Sequence, residues 1–334
     1  MKLPRRLQEK WRGKRYNSFH RVLKETFGAR VHKVSLRWDF TCPNRDGKVA
    51  TGGCTYCNNA GHTPRTYRPG MSIREQLEMG SEAVRRRYKA EKFVAYFQSY
   101  TNTYGPASEL ERLYRAALDV PGVVGLAIAT RPDCVPDDVL DLIADISRHT
   151  YLWLELGLES MHDKTLAWVN RGHDLKAFVD AAERSKRKDL RLAVHLILGF
   201  PTETREEMLL TPALLNGLGV DGIKLHNLHV IKHTVLERLY RSGAFGLLTR
   251  EAYVSLVVDF LELLHPEIVV HRLTGETYRD LTVAPGWSVN KIGVLNAIHA
   301  ELERRDTWQG RILPEGSRSS AHSRVTNLSG GLAL

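Results

Sequence analysis

The chain has 334 residues, 43% of them hydrophobic and 26% charged, proportions of an ordinary globular protein. Its longest apolar runs, such as GVVGLAIA (122–129) and LAVHLILGF (192–200), have strand length and exclude a membrane-spanning helix. The formal net charge of +10 is uneven: residues 1–33 carry eleven Lys/Arg against Glu9 and Glu25, which points to an anionic partner such as nucleic acid.

The first segment, 1–32, reads as a basic arm. It has no apolar stretch of the kind a secretory signal needs, so we expect a cytoplasmic protein whose cysteines are reduced. Arg5, Arg6, Arg12, Lys14 and Arg15 are its candidates for RNA phosphates. Trp11, Tyr16 and Phe19 lie among them and can stack on bases or on the core. The bland alternative is a solvated basic helix.

Strands are predicted at 33–39, 93–98, 123–129, 151–157, 190–198 and 221–227. Helices are predicted between them at 72–91, 107–119, 136–148, 161–169 with 174–187, and 204–217. Ser72 with Glu75 forms a capping box, and Pro136-Asp137-Asp138 is a good first turn. Six β-then-α units in a row imply parallel strands, hence an α/β wound sheet or partial (βα)6 barrel over 33–228. A helix at 249–264, a strand at 267–272 and a helix at 289–305 form a C-terminal α/β extension, 229–311, that closes the barrel. The Ser/Gly/Arg-rich tail, 312–334, has little to bury and is expected to be disordered.

The loop after the first strand, CPNRDGKVATGGCTYC (42–57), holds three of the four cysteines. In a β/α barrel such loops carry the reactive groups. Gly47, Gly52 and Gly53 give the positive-φ freedom that wrapping a cofactor needs. Three thiolates on a 4Fe–4S cubane leave one iron open for a small molecule. A zinc site is the alternative, with His62 or Cys134 as fourth ligand. Three merely buried thiols fit a Gly-rich loop less well.

The motifs RYNSF, FTCPNRDG, GGCTYCNNA, TRPDC, GLES…NRGH, LILGFPTET, HNLHVIK, RLTGE and DTWQG together resemble the radical S-adenosylmethionine (SAM) enzymes, in the long-spaced cysteine form of the Elongator catalytic-subunit branch. Within that branch they are similar to the YhcC/YtqA-like bacterial group, over about residues 15–310. The resemblance implies that Cys42, Cys54 and Cys57 ligate a 4Fe–4S cluster. It also implies that SAM chelates the open iron and yields a 5′-deoxyadenosyl radical that abstracts a substrate hydrogen.

Carried over by position, Tyr56 stands beside the adenine, or packs under the cluster. Thr101 and Asn102 replace the usual Gly-rich turn for the methionine amino group. Glu159 suits the ribose hydroxyls and Arg171 the SAM carboxylate, unless the two form a structural pair. His195 takes the place of a ribose-binding carboxylate, or is a satisfied buried histidine. Ala129 stands where the Elongator branch has a glutamate, while Gly199 and Pro201 shape a turn.

His226, His229 and Lys232 are candidates for substrate contact or proton transfer, with a supporting role as the alternative. Cys134 is read as an ordinary small buried residue. The resemblance and the basic arm imply tRNA modification at a wobble uridine, with a flavodoxin-type reductase as electron donor. No length remains for an acetyltransferase domain, so acetyl-CoA is not expected. Chemistry on a small metabolite and a non-catalytic RNA-binding iron–sulfur or zinc protein are the competing readings.

Overall fold

A computed structural model describes residues 3–61 and 63–313; His62 and the tail from 314 onward lie outside the described residues. The strands are β1 (Val31–Leu36), β2 (Lys92–Phe97), β3 (Val123–Thr130), β4 (Tyr151–Glu159), β5 (Leu192–Leu198), β6 (Gly222–Asn227), β7 (Val230–Ile231), β8 (Val269–Arg272) and β9 (Thr282–Ala284). The helices are α1 (Arg5–Lys10), α2 (Phe19–Phe27), α3 (Ile73–Tyr88), α4 (Ala107–Leu118), α5 (Asp137–His149), α6 (Asp163–Trp168), α7 (Leu175–Arg187), α8 (Arg205–Met208), α9 (Thr211–Leu218), α10 (Val235–Arg241), α11 (Arg250–Glu262) and α12 (Lys291–Arg304).

Seven strands form one sheet in the order β1-β2-β3-β4-β5-β6-β8, every neighbouring pair parallel. The sequence reading gave the barrel six strands and left 267–272 to the extension. The structure pairs that segment with β6 as a seventh strand. Since β1 does not pair with β8, the sheet is an open half-barrel. β7 and β9 make a separate antiparallel pair.

Parallel strands bury both faces, so each needs two cores. On the outer face Leu36, Phe97, Ile128, Leu154 and Leu156 pack against the helices. The predicted capping box holds α3: Glu75 N–H donates to Ser72 Oγ at 3.2 Å, and Ser72 N–H to Glu75 Oε2 at 2.7 Å. On the inner face Val31, Val94, Ala127, Trp153, Ala193 and Val269 make an apolar floor at the N-terminal ends of the strands.

The N-terminal segment plugs this floor. Phe19 of α2 stacks on His271 at 3.9 Å and meets Trp153 edge-on at 5.7 Å. Val270 N–H donates to Asn17 O at 2.8 Å, bridging the segment to the free edge of β8. Trp11 is fully buried, and Tyr16 and Phe19 nearly so, so these aromatics stack on the core. The basic side chains ring the underside: Arg5 pairs with Glu9, Arg12 with Glu25 at 3.0 Å, and Arg15 with Asp306 at 3.1 Å.

One layer above the floor the lumen is ionic. The Glu155 carboxylate, wholly buried, takes the ammoniums of Lys33 and Lys224 and accepts from His195 Nε2 at 2.9 Å. Lys224 also donates to the Tyr96 hydroxyl at 2.9 Å, and His271 closes the ring. Burial opposes ionisation of Glu155, but Lys224 and Lys33 outweigh it and hold its carboxyl well below the ordinary range. His195 is pushed down to about 4 and His271 to about 3 by burial, so both are neutral at pH 7.

Candidate active site: a three-thiol cavity at the barrel mouth

The C-terminal ends of the strands open on a cavity lined by Cys42, Cys54 and Cys57 together with Tyr56, Thr101, Glu159, Arg171, His195, His226 and His229. These residues come from the loop after β1, from the ends of β2, β4 and β6, from the middle of β5 and, for Arg171, from the turn between α6 and α7. Two candidates stand off the cavity wall. Asn102 turns its amide to Ala129 O at 2.8 Å, and Lys232 sits on the exposed rim. Cys134 lines a neighbouring hollow with Pro43, Val49 and Pro136, its thiol pushed up to about 12 by burial.

The cysteine loop is shaped by its own backbone and by the segment NRGH. Gly47, Gly52 and Gly53 adopt φ of +92°, +80° and +79°, where a side chain would be strained. Arg45 N–H donates to Cys42 O at 2.7 Å, and Arg45 Nη2 donates to Cys57 O at 2.8 Å, closing the loop on itself. Asn44 Nδ2 donates to Asn170 O at 2.5 Å, and Asn170 Nδ2 returns to Gly53 O at 2.9 Å. Asn44 and Arg45 belong to a quoted motif, yet their structural duty depends on segments more than ten residues away.

Arg171 is the hub. Its Nη2 donates to Gly157 O at 2.8 Å, its Nη1 to Cys54 Sγ at 3.6 Å, and its Nε to His173 Nε2 at 2.9 Å. Glu159 Oε1 lies 3.4 Å away, so the structural pairing weighed from sequence is present. Burial raises the Glu159 carboxyl, with Arg171 and Arg131 opposing. Glu159 also carries φ +68°, a left-handed backbone at the β4 bulge, of the kind that concentrates at functional sites. A Cβ on Gly157 would come within 2.6 Å of both Arg171 Nη2 and Glu159 Oε1, so a side chain here would displace the ends of that pair.

A residue that sequence reasoning missed is Arg131 of TRPDC. It grips Asp133 bidentately at 2.9 and 2.8 Å and lines the cavity nearly fully buried. Among the described residues its Nη1 has no hydrogen-bond partner, and neither does the buried Tyr56 hydroxyl that also lines the cavity. Buried polar atoms without partners mark where a ligand's polar groups belong.

Among the described residues, no three His, Cys, Asp or Glu side chains converge tightly enough for one metal ion. The three thiols instead share a cavity wall, which suits a cubane with one thiolate on each of three irons better than a single zinc.

Residues 46–214 match the Radical SAM superfamily model, and 220–304 match the Radical_SAM C-terminal domain. The chain belongs to the radical SAM superfamily. This radical SAM protein is 41% identical over 308 residues to the uncharacterized protein YtqA of Bacillus subtilis, covering 92% of this chain and 96% of YtqA. It is 38% identical over 276 residues to the protein YhcC of Escherichia coli, covering 82% and 88%. Elongator complex protein 3 of Schizosaccharomyces pombe is 29% identical over 157 residues, 45% of this chain and 28% of the yeast protein. Among solved structures, the fold matches archaeal Methanocaldococcus infernus Elp3 with TM-score 0.61 at 16% identity, covering 84% of this chain and 64% of that one.

The radical SAM protein is therefore an enzyme whose cofactors are a 4Fe–4S cluster and SAM, which together supply a radical when bound. The residues present fit both. Cys42, Cys54 and Cys57 would hold the cluster, with Asn44 Nδ2 and Arg171 Nη1, each 3.6 Å from Cys54 Sγ, donating to that sulfur. The partnerless Tyr56 hydroxyl and Arg131 Nη1, with Glu159, offer SAM polar contacts. Among the described residues, no helix is long and apolar enough to cross a membrane.

Glu159→Ala is expected to retain its iron while SAM affinity falls about ten-fold or more, the worth of a charge-assisted contact. Equilibrium dialysis with SAM measures this. Unchanged affinity leaves Glu159 as the partner of Arg171 alone.

Proposed function

We propose that this radical SAM enzyme modifies tRNA, with a wobble uridine as its target and a flavodoxin-type reductase as its electron donor. The observation that carries the reading is the kinship with Elongator complex protein 3, 29% identical over 157 residues, 45% of the chain. A net charge of +10 suits a polyanionic substrate. In this reading His226 and His229, which line the cavity, contact the base or move a proton, and the exposed Lys232 meets its phosphate.

Mass spectrometry of tRNA nucleosides from a deletion strain tests the reading. The expected result is loss of one wobble-uridine derivative and accumulation of its precursor. Purified, reduced enzyme should then convert that precursor tRNA while forming 5′-deoxyadenosine. An unchanged nucleoside profile together with accumulation of a small metabolite would assign the enzyme to metabolite chemistry instead.

A further inference from the structure

Residues 58–61 and 63–68 lie on the open side of the half-barrel, between its β1 and β8 edges. From the β1 side Arg37, just past the strand, donates from Nη1 to Thr63 Oγ1 at 3.4 Å. From the β8 side the Tyr278 hydroxyl donates to the same residue, at Thr63 O, at 3.0 Å, and Asn58 Nδ2 donates to Lys232 O at 2.8 Å. Asn59 in this stretch, Tyr100 beside Arg37, and Ile231 beside Lys232 all line the cavity, so the stretch is part of its rim.

The rim is built of guanidinium–aromatic pairs. Arg37 lies over Tyr67 at 4.8 Å and faces Tyr100 at 5.4 Å; Arg65 lies over Tyr278 at 4.4 Å. Arg65, Arg68 and Lys232 are exposed. The carboxylates in reach are Asp39, which accepts from the Tyr67 hydroxyl at 3.4 Å, and Asp280, which pairs with Arg65 at the surface. They leave the rim with a positive balance. A guanidinium seated over a ring has a free face for an unstacked base and N–H groups for a phosphate. A protein partner would need no such planes.

The basic segment ahead of β1, residues 3–30, offers a poorer route to the same cavity. It sits under the floor, and a strand of six residues separates the two ends of the barrel by about 20 Å. RNA held only there does not reach the thiols.

We propose that the rim made by Arg37, Arg65, Tyr67, Arg68 and Tyr278 receives a single-stranded RNA segment, whose target base passes into the cavity. The inference rests on the tRNA reading above and names the surface that reading requires. Flanking bases stack on the rim's planes while Arg65 and Arg68 hold the phosphates on either side.

The test titrates tRNA against anaerobically reconstituted holoenzyme by fluorescence anisotropy, from about 50 to 200 mM salt. It compares wild type with Arg65→Gln/Arg68→Gln, with Tyr67→Ala, and with Arg5, Arg6, Arg12, Lys14 and Arg15 all changed to Gln. Iron content and uncoupled SAM cleavage, expected at wild-type level in all variants, show that they are folded.

The expected result for the double arginine variant is a log–log salt slope smaller by about 1.4–1.8, two phosphate contacts. Tyr67→Ala should weaken binding about ten-fold with little change of slope. The arm variant should affect binding less than the double arginine variant. If wild type binds tRNA and both rim variants bind it equally well, the inference falls while the tRNA reading stands. If the rim variants instead slow cluster reduction by a flavodoxin and leave tRNA binding intact, the rim is a protein-docking surface and the inference falls. If wild type shows no salt-sensitive tRNA binding, the tRNA reading falls and takes this one with it.

Discussion

Cys42→Ala, Cys54→Ala and Cys57→Ala are each expected to abolish the iron–sulfur absorbance and all formation of 5′-deoxyadenosine from SAM. Anaerobically reconstituted wild type should hold about four irons per chain, and each variant close to none. The three thiols share one wall, and no other cysteine lines that cavity to replace them. Cys134→Ala should behave as wild type, because Cys134 opens on a different hollow. Arg171→Ala is expected to lower iron occupancy as well as SAM binding, since Arg171 ties Cys54 to the end of β4. Iron assay and the visible spectrum decide both. Loss of the cluster in Cys134→Ala, with one of the other three tolerated, overturns the ligand assignment.

Glu155→Ala should be the most destabilising single change outside the cysteine loop. It leaves Lys33 and Lys224 facing each other without their shared counter-charge, and breaking a buried ionic set this way costs about 3–5 kcal/mol. Denaturant unfolding of the apoprotein reads the loss. Adding Lys33→Met and Lys224→Met should recover much of it, because the remaining cost is unpaired charge and not missing volume. Recovery failing in the triple variant would show that packing, and not charge, dominates the layer.

The same layer sets the acid limit. The folded Glu155 carboxyl is depressed, so its contribution is present above the unfolded value near 4.3 and is lost as pH falls further. His195 and His271 are depressed from about 6.5 to about 4 and about 3, so the unfolded chain binds protons that the folded chain refuses. Stability should therefore fall as pH drops from about 6.5, by about 1.4 kcal/mol per pH unit for each histidine. His195→Gln should flatten that slope by about one proton.

Most strands were legible because each is a compact apolar run flanked by helix caps. The first was displaced, predicted at 33–39 and found at Val31–Leu36. His32 and Lys33 look like a strand's polar edge, but the Lys33 ammonium is turned inward to Glu155. The helix predicted over 204–217 is two helices, with Pro212 in the first turn of α9. β7, β9 and α10 went unread, because two- and three-residue strands have no period to detect.

The cysteine site was legible because its three thiols lie within sixteen consecutive residues. The ionic layer was not. Glu155, Lys224, Lys33 and His271 come from four strands, and only the parallel register brings them level. A single charge inside an apolar run such as YLWLELGLE was the available clue.

The N-terminal plug bears on how the chain is made. Tyr16 meets His299 at 3.1 Å, Arg15 donates to Thr307 O, and Asn17 N–H donates to Gln309 Oε1 at 2.9 Å, across gaps of 283 to 292 residues. Synthesis proceeds at about 5–20 residues per second, so the first-made segment waits roughly 15–60 s for its partners to emerge. The clasp at Arg15, Tyr16 and Asn17 thus closes last, after every strand and the whole cysteine loop exist. A nascent chain stopped short of residue 299 carries the three thiols yet lacks this clasp. Contact between segments so far apart in sequence is a cost that local folding cannot meet, so the clasp belongs to the slowest, most non-local part of the fold.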